Sequence, residues 1–595
     1  MKPLHSSESK EDKNAMILEH IDIRGFRGIN QLSLPLTRIN LLIGENAWGK
    51  SSLLDALSLL LSPRTRDYAF SLDDFHFTPG EVKDRVHRLS VVFHFADDEA
   101  DTSELLQPFW QPGEQGKRRL SYSVQARRRD DQITSTRRFI DGNGQVLPEA
   151  GSAAAIDYLL RMNPVLRLRD ARFSRRIRPV ESGIDARLST LNQLAKELDT
   201  LTRDLEQHPQ QMSNAMLRQG LQTMQQLVEH YFLIQHPERG SEPHRVEPQS
   251  REGARGWHSL DQLNHLIAAT DVRSRQLILL RMFTLLVQAR GSEPLAPGAR
   301  PLLLIEDPET RLHPIMLSVA WNLLTLLPLQ KIATTNSGEL LSQVAIEHVC
   351  RLVREPARVA AWRVGPEGLS AEESRRIGFH IKVNRPSALF ARCWLLVEGE
   401  TEVWIINEMA RQCGFHFAAE GIKVIEFAQS GLKPLLKFAR RMGIAWHVLT
   451  DGDMAGKKYA ATARSQLLPP DVEKHHLTAL PAADIEHFLY QHGFSDIYQQ
   501  AAHLPLNVPM KPRRIITKAI HRASKPELAI MVAMAAAERG TEAIPERLRD
   551  MFARVIRLAQ GKAGDSLLRF NGYYQTGMVA LRALMNVKMD LLARL

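Results

Sequence analysis

Two sets of residues have the types and spacing for phosphate chemistry. Gly44-Glu45-Asn46-Ala47-Trp48-Gly49-Lys50-Ser51 fits the pattern G-x-x-x-x-G-K-[ST]. Glycines in such a loop let backbone N–H groups wrap phosphate oxygens, and the start of the following helix adds positive potential. Lys50 then addresses the β- and γ-phosphates of ATP and Ser51 its Mg²⁺, with Gly44, Asn46, Gly49 and Ser52 completing the cradle. Leu302-Leu303-Leu304-Ile305 ends in Glu306-Asp307; the first acid suits the metal and the second suits the attacking water. The other set is acidic: Glu398 and Glu402, then Asp451 and Asp453, then Glu486. Such carboxylates hold hard cations, Mg²⁺ or Mn²⁺, and a two-ion site stabilises both oxygens of a phosphoryl displacement.

These residues need particular elements to position them. Ile17 to Gly25 and Ile39 to Ile43 read as strands, the latter feeding the glycine loop, and Ser51 to Leu61 reads as the helix behind it. Leu89 to Phe95, Arg119 to Ala126, Pro301 to Ile305 and Gln330 to Thr335 are further strand candidates. Trp394 to Val397 and His447 to Thr450 are apolar runs that deliver acids at their C-terminal ends, as two parallel strands would. Leu191, Leu194, Leu198, Leu201 and Leu205 follow heptad spacing, which suits a helical hairpin packing on itself or on a second subunit. Residues 236–256 read as a loop, Leu260 to Ala289 as helix, and 365–387 as a connection with few core signals.

At 595 residues the chain is too long for one core. Its 77 Lys and Arg against 67 Asp and Glu give +10, a balance that favours a polyanionic partner. Three cysteines without CxxC spacing speak against a zinc site or a disulfide framework and fit a reducing cytoplasm. No apolar run reaches membrane-spanning length, and residues 1–15 lack the apolar core of a signal peptide. Basic clusters at Arg167, Arg169, Arg172, Arg175, Arg176 and Arg178, and at Lys511, Arg513, Arg514, Lys518, Arg522 and Lys525, are suited to DNA phosphates.

The wide separation of the glycine loop from Glu306-Asp307 resembles ATPases of the ABC/SMC class. So does Ile23-Arg24-Gly25-Phe26-Arg27-Gly28-Ile29, where the resemblance implies that Arg24 or Arg27 contacts phosphate. That class usually carries a histidine in a Thr-Thr-His-Ser-like run; here the run is Thr334-Thr335-Asn336-Ser337. Asn336 can hydrogen-bond a γ-phosphate or water but is no base near neutral pH, which favours ATP binding over fast hydrolysis. The Leu-Ser-x-Gly signature has no clean counterpart. Val397-Glu398-Gly399-Glu400-Thr401-Glu402 with Thr450-Asp451-Gly452-Asp453 resembles the Toprim domain.

The order of these parts resembles the OLD (overcoming lysogenization defect) family over roughly residues 16–555. The resemblance implies an α/β chain: an ABC-type P-loop ATPase with a helical insert, followed by a Toprim α/β nuclease domain. It divides the chain into a leader at 1–15, ATPase parts at 16–180 and 257–364, an insert for dimerisation at 181–256, a linker at 365–390, the Toprim domain at 391–555 and a helical tail at 556–595. It also implies a lysine after the acids, and Lys525 in Ser524-Lys525-Pro526 fits that place, suited to charge developing on phosphate. The expectation is a cytoplasmic, homo-oligomeric DNA endonuclease that uses ATP and Mg²⁺ or Mn²⁺, with phage defence or DNA repair as the setting. The alternative is an SMC-like ATPase that clamps DNA without cutting it. No tyrosine marks out a topoisomerase nucleophile.

Overall fold

The computed structural model describes residues 16–168, 296–310 and 329–561, with 317, 321 and 325 described singly; within these ranges 46–47, 64–65, 79–86, 98–102, 114–115, 131, 149, 297–298, 366–367 and 507–508 are excepted. The leader, the leucine heptad, the insert at 181–256, the helix expected at 260–289, Arg169 to Arg178 and the tail beyond 561 all lie outside the described residues. The chain divides into two compact units: one holds residues up to 365 together with 382–386, the other 366–381 and everything from 387 on.

In the first unit, β1 (Ile17–Phe26), β2 (Ile29–Pro35) and β3 (Ile39–Gly44) precede α1 (Lys50–Leu60). Then come β4 (His87–Asp97), β5 (Gln111–Pro112), β6 (Arg118–Arg129), β7 (Gln132–Ile140), α2 (Ser152–Met162), β8 (Val165–Leu168), β9 (Leu302–Glu306), β10 (Gln330–Thr334), α3 (Gly338–Gln343), β11 (Val349–Arg354) and β12 (Val359–Trp362). One sheet takes the order β5-β6-β4-β1-β2-β12-β11-β3-β10-β9-β8, with β7 paired to β6. The β8-β9-β10-β3-β11 portion is parallel. Strands covered on both faces read as continuous apolar runs, and Leu302 to Ile305 and Leu41 to Ile43 are all buried. The portion from β2 to β7 is antiparallel. There β4 alternates, burying Leu89, Val91, Phe93 and Phe95.

The sheet order sets β3 beside β10 and β10 beside β9. The glycine loop after β3 and the acids ending β9 therefore emerge at one edge of the parallel portion. Sequence reading missed β2, β7, β8, β11 and β12. β7 is polar and mostly exposed, and β11 carries a buried Arg351 inside an apolar run, so neither shows a clean strand pattern.

In the second unit, α4 (Ala371–Ile377) precedes β13 (Cys393–Val397), α5 (Glu400–Gln412), β14 (Ile422–Glu426), α6 (Leu432–Arg441), β15 (Ala445–Thr450), α7 (Met454–Ser465), α8 (Glu473–His476) and β16 (Leu477–Ala479). Then follow α9 (Ile485–Leu489), α10 (Ser495–Ala501), α11 (Pro512–Ala523), α12 (Lys525–Arg539) and α13 (Glu546–Ala559). The sheet is all parallel, in the order β14-β13-β15-β16. The strand order reverses at β13, so the crevice between the carboxyl ends of β13 and β15 is a topological switch point, where ligands of open α/β sheets bind.

Two expectations about boundaries need correction. Residues 365–390 are not a featureless linker: α4, a π-helical turn (Gly378–Val383) and a 3-10 segment (Pro386–Phe390) occupy them, burying Ile377, Ile381, Ala388 and Leu389. Their apolar residues fall at irregular spacing, which hides them from a periodicity reading. The core of the second unit also runs past 555, because α13 continues to Ala559 and buries Leu558 and Ala559 in it. Among the described residues no helix is long and apolar enough to cross a membrane.

Candidate functional site

The acidic site grows out of the second unit's sheet. β13 is buried along its whole length and places Glu398 directly after it. Glu402, one turn into α5, accepts the backbone N–H of Gly399 at 3.1 Å and so caps its own helix. β15, whose last five residues are buried, places Asp451 at its end. Gly452 has no room for a side chain: a Cβ there would lie 2.4 Å from the Ala482 carbonyl oxygen and 2.7 Å from that of Leu480. The bare backbone instead lets the Gly452 N–H donate to Ala482 at 2.9 Å, drawing the segment after β16 against Asp451. Asp453 caps α7 by accepting the N–H of Gly456 at 2.7 Å. Glu486 sits on α9, buried, with its Oε1 3.0 Å from the Lys525 ammonium at the start of α12.

These groups feel one another. Burial pushes the Asp451 carboxyl up to about 8, reinforced by Glu398, Glu402, Asp484 and Glu486. Burial, then Asp453 and Glu402, raise Glu398; burial and Glu486 raise Glu402 against the hydrogen bonds of its cap. Burial works against the Lys525 ammonium, but Glu486, Glu402 and Asp484 outweigh it and raise its pKa. Asp484, two residues before Glu486, joins the group. It caps α9, accepts from His487 at 2.7 Å through the backbone and 2.6 Å through the ring, and adds negative charge at the site. Its signal in the sequence was an Asp three residues before a His at a helix start.

A divalent cation fits this donor set. The ligands offered are carboxylate oxygens, the choice of Mg²⁺ and Mn²⁺. The Glu398 Oε2 atom is buried without a hydrogen-bond partner, and the mutual repulsion that raises Asp451 is the kind a cation relieves. Among the described residues, no three His, Cys, Asp or Glu side chains converge tightly enough to enclose an ion as they stand. Glu402 and Asp453 each have one oxygen engaged in a helix cap, which holds their carboxyl groups back.

At the nucleotide site, Gly49 caps α1 in a left-handed conformation (φ 101°), and a Cβ on Gly44 would meet the Leu352 carbonyl oxygen at 2.4 Å. Both glycines are needed where they stand. Lys50 forms an ion pair with Asp307. Asp307 adopts φ 40° and also accepts the Thr334 hydroxyl at 3.0 Å. Ser51 is exposed on the first turn of α1. Asn46 lies outside the described residues. Ser52 accepts the Gly28 N–H at 3.0 Å, so its hydroxyl fastens the β1–β2 turn to α1. The Asn336 N–H donates to Glu309 at 2.7 Å.

Three arginines singled out in the sequence take definite places in the first unit. Arg27 is held by Asp55 and by the buried Asp74 at 2.9 Å, and Arg24 is exposed on β1. Arg167, grouped by sequence with a DNA-facing cluster, instead bonds Glu306 at 3.0 Å and pairs with Asp55 of α1. It thus ties the acid at the end of β9 to α1 behind the glycine loop. Its partner Glu306 is 139 residues away in sequence, a pairing that local sequence cannot signal.

Residues 16–388 match the family model described as protein of unknown function (DUF2813), and residues 389–453 match the model described as overcoming lysogenization defect protein-like, TOPRIM domain. The chain is 56% identical over 558 residues to "Uncharacterized protein YbjD" of Escherichia coli (strain K12), covering 92% of this chain and 100% of that protein. It is 21% identical over 466 residues to "Endonuclease GajA" of Bacillus cereus (strain VD045), covering 74% of this chain and 76% of that protein. Among solved structures, the C-terminal region of the Burkholderia pseudomallei OLD protein covers 29% of this chain and 99% of its own, at 19% identity and a TM-score of 0.25. The SMC head domain from Thermotoga maritima covers 59% of this chain and 99% of its own, at 10% identity and a TM-score of 0.26. With a family match across more than half its length and a full-length relative at 56% identity, the chain belongs to the DUF2813 family and carries an OLD-like Toprim domain behind the matched region.

Proposed function

We propose that this chain is an ATP-binding, metal-dependent DNA endonuclease whose phosphodiester chemistry takes place at the acidic switch-point crevice. The observation that carries the reading is the convergence of Glu398, Glu402, Asp451 and Glu486 on one another's electrostatics, with Asp451 raised to about 8 and Lys525 beside Glu486. The OLD-like Toprim match and the similarity to an endonuclease support it. Glu398, Glu402, Asp451, Asp453 and Glu486 would hold one or two divalent ions. Bound ions supply Lewis-acid stabilisation of the attacking and leaving oxygens while water displaces one oxygen from phosphorus. Lys525 offers its ammonium to the charge that develops on the phosphate. The exposed Arg513, Arg514 and Arg522 on α11 lead to that lysine and suit the DNA backbone.

The nucleotide site has the parts for binding: the loop, Lys50, Ser51 and the acids Glu306 and Asp307. Its turnover is slow in this reading, because Asn336 replaces the usual histidine and provides no base. ATP therefore gates access to the crevice, and it does not drive a fast motor. The subunits act as a homodimer or higher homo-oligomer. The test is incubation of supercoiled plasmid with Mg²⁺ or Mn²⁺, with and without ATP. Nicked or linear product that disappears with EDTA is expected. DNA binding with no cleavage in any arm overturns the nuclease reading and leaves an ATPase that clamps DNA.

A further inference from the structure

Away from the carboxylates of the crevice, the second unit holds a group of cations that form no ion pair among the described residues. On α13, Arg547, Arg554 and Arg557 are spaced at i, i+7 and i+10 and so lie along one face of the helix. Arg547 donates twice to the Ala479 carbonyl oxygen at the end of β16, at 3.0 and 2.7 Å. Arg554 reaches only the Thr478 hydroxyl at 3.5 Å, and its Nε is buried with no hydrogen-bond partner. Arg557 bonds only its own helix, at the Ala553 carbonyl. Several other arginines of this unit are neutralised, among them Arg411 by Glu408 at 2.6 Å, Arg464 by Glu473 at 2.8 Å and Arg539 by Asp496 at 2.5 Å. Arg547, Arg554, Arg557 and the neighbouring Lys474 form no such pair among the described residues.

The crowding is felt. Burial lowers Arg554 and Asp550 opposes that, but Arg547 and Arg557 lower it further. Burial and then Lys474, His476, Arg557 and Arg554 lower His475. Two half-buried guanidinium groups, Arg554 and Arg557, the former with an N–H unsatisfied, next to the exposed Arg547 and Lys474, are poised for an anion. The direction of the row says which kind. Thr450, next to Asp451, is in register with Ala479, so Arg547 lies at the carboxyl end of the sheet, the end that bears the acids. Arg557 lies near His475, before β16 begins. The ten residues between them span about 15 Å of helix, the axial rise of four to five nucleotides in one strand at about 3.4 Å each. A single small anion would engage only part of such a row.

We propose that Arg547, Arg554 and Arg557, with Lys474 beside them, form a track for the phosphate backbone of a nucleic-acid strand, running along the β16 edge towards the carboxylate crevice. This rests on the nuclease reading above. The test is fluorescence anisotropy of a labelled oligonucleotide on the full chain in EDTA, so that nothing is cut, over a series of KCl concentrations. The double variant Arg554→Gln/Arg557→Gln is expected to bind about ten-fold more weakly, with the slope of log K against log [KCl] shallower by about 1–2, since each lost phosphate contact removes about 0.7–0.9. Arg554→Lys/Arg557→Lys, which keeps both charges, is expected to hold the slope. Lys474→Glu, on an exposed side chain, tests the same face if the arginine variants fail to fold. Unchanged affinity and slope in the Gln variant overturn the track. Displacement of the oligonucleotide by micromolar pyrophosphate also overturns it, in favour of a small-anion site. If the unsubstituted chain binds no oligonucleotide at all, the nuclease reading falls together with the track.

Discussion

Asp451 carries the sharpest consequence at the scale of single residues. Its carboxyl is raised from the ordinary 3.8 to about 8 by burial and by Glu398, Glu402, Asp484 and Glu486. The folded chain therefore binds a proton there that the unfolded chain has released. Without metal, this residue's contribution to stability falls as pH climbs from about 4 to about 8 and changes no further above that. Asp451→Asn removes the charge. In EDTA at pH 8 its melting temperature should exceed that of the unsubstituted chain by about 2–8 °C, since 1 kcal/mol moves the midpoint of a domain this size by about 2–4 °C. The gap should close towards pH 4. Scanning fluorimetry across that range checks this, and a gap that does not change with pH contradicts it. Residue identities at both sites were legible in the sequence because their motifs are local. The partners of Arg167 and Ser52 were not, because hydrogen bonds between distant segments leave no mark on either segment alone.

At the scale of elements, what could be read was decided by how apolar a strand is. Leu302 to Ile305, Trp394 to Val397 and His447 to Thr450 are buried runs that end in acid, and each was visible together with the acid that follows it. β7 shows only polar and exposed residues on much of its length, and the helices of 365–390 bury side chains at irregular intervals, so both were hidden. One element boundary is set by sterics alone. The β15–α7 turn passes so close to the segment after β16 that Gly452→Ala would drive a methyl against two carbonyl oxygens. That substitution should destabilise the chain by about 1–3 kcal/mol and weaken any stabilisation by Mg²⁺, because Asp451 and Asp453 flank the turn. Thermal melts with and without Mg²⁺ read both effects. A variant that melts as the unsubstituted chain does would show that the turn yields at no cost.

At the scale of the whole molecule, the fold class was legible because each unit repeats one device: an apolar parallel strand that ends at a charged or glycine-rich turn. The proposed gating of one site by the other has no counterpart in local sequence and is tested by perturbing one site and measuring the other. Lys50→Ala should lower nucleotide affinity by at least about ten-fold, the loss of a charged contact worth about 1.5–3 kcal/mol, as measured by titration with a fluorescent ATP analogue. Its plasmid cleavage should then no longer respond to ATP, and a response equal to that of the unsubstituted chain would contradict gating through this site. The most direct test of the central claim compares plasmid cleavage by the unsubstituted chain and by Asp451→Ala in Mn²⁺, with ATP binding measured on the same preparations. Cleavage that is lost in Asp451→Ala while ATP binding is retained is the predicted result; cleavage by Asp451→Ala at the unsubstituted rate would contradict the assignment of the acidic crevice as the nuclease centre.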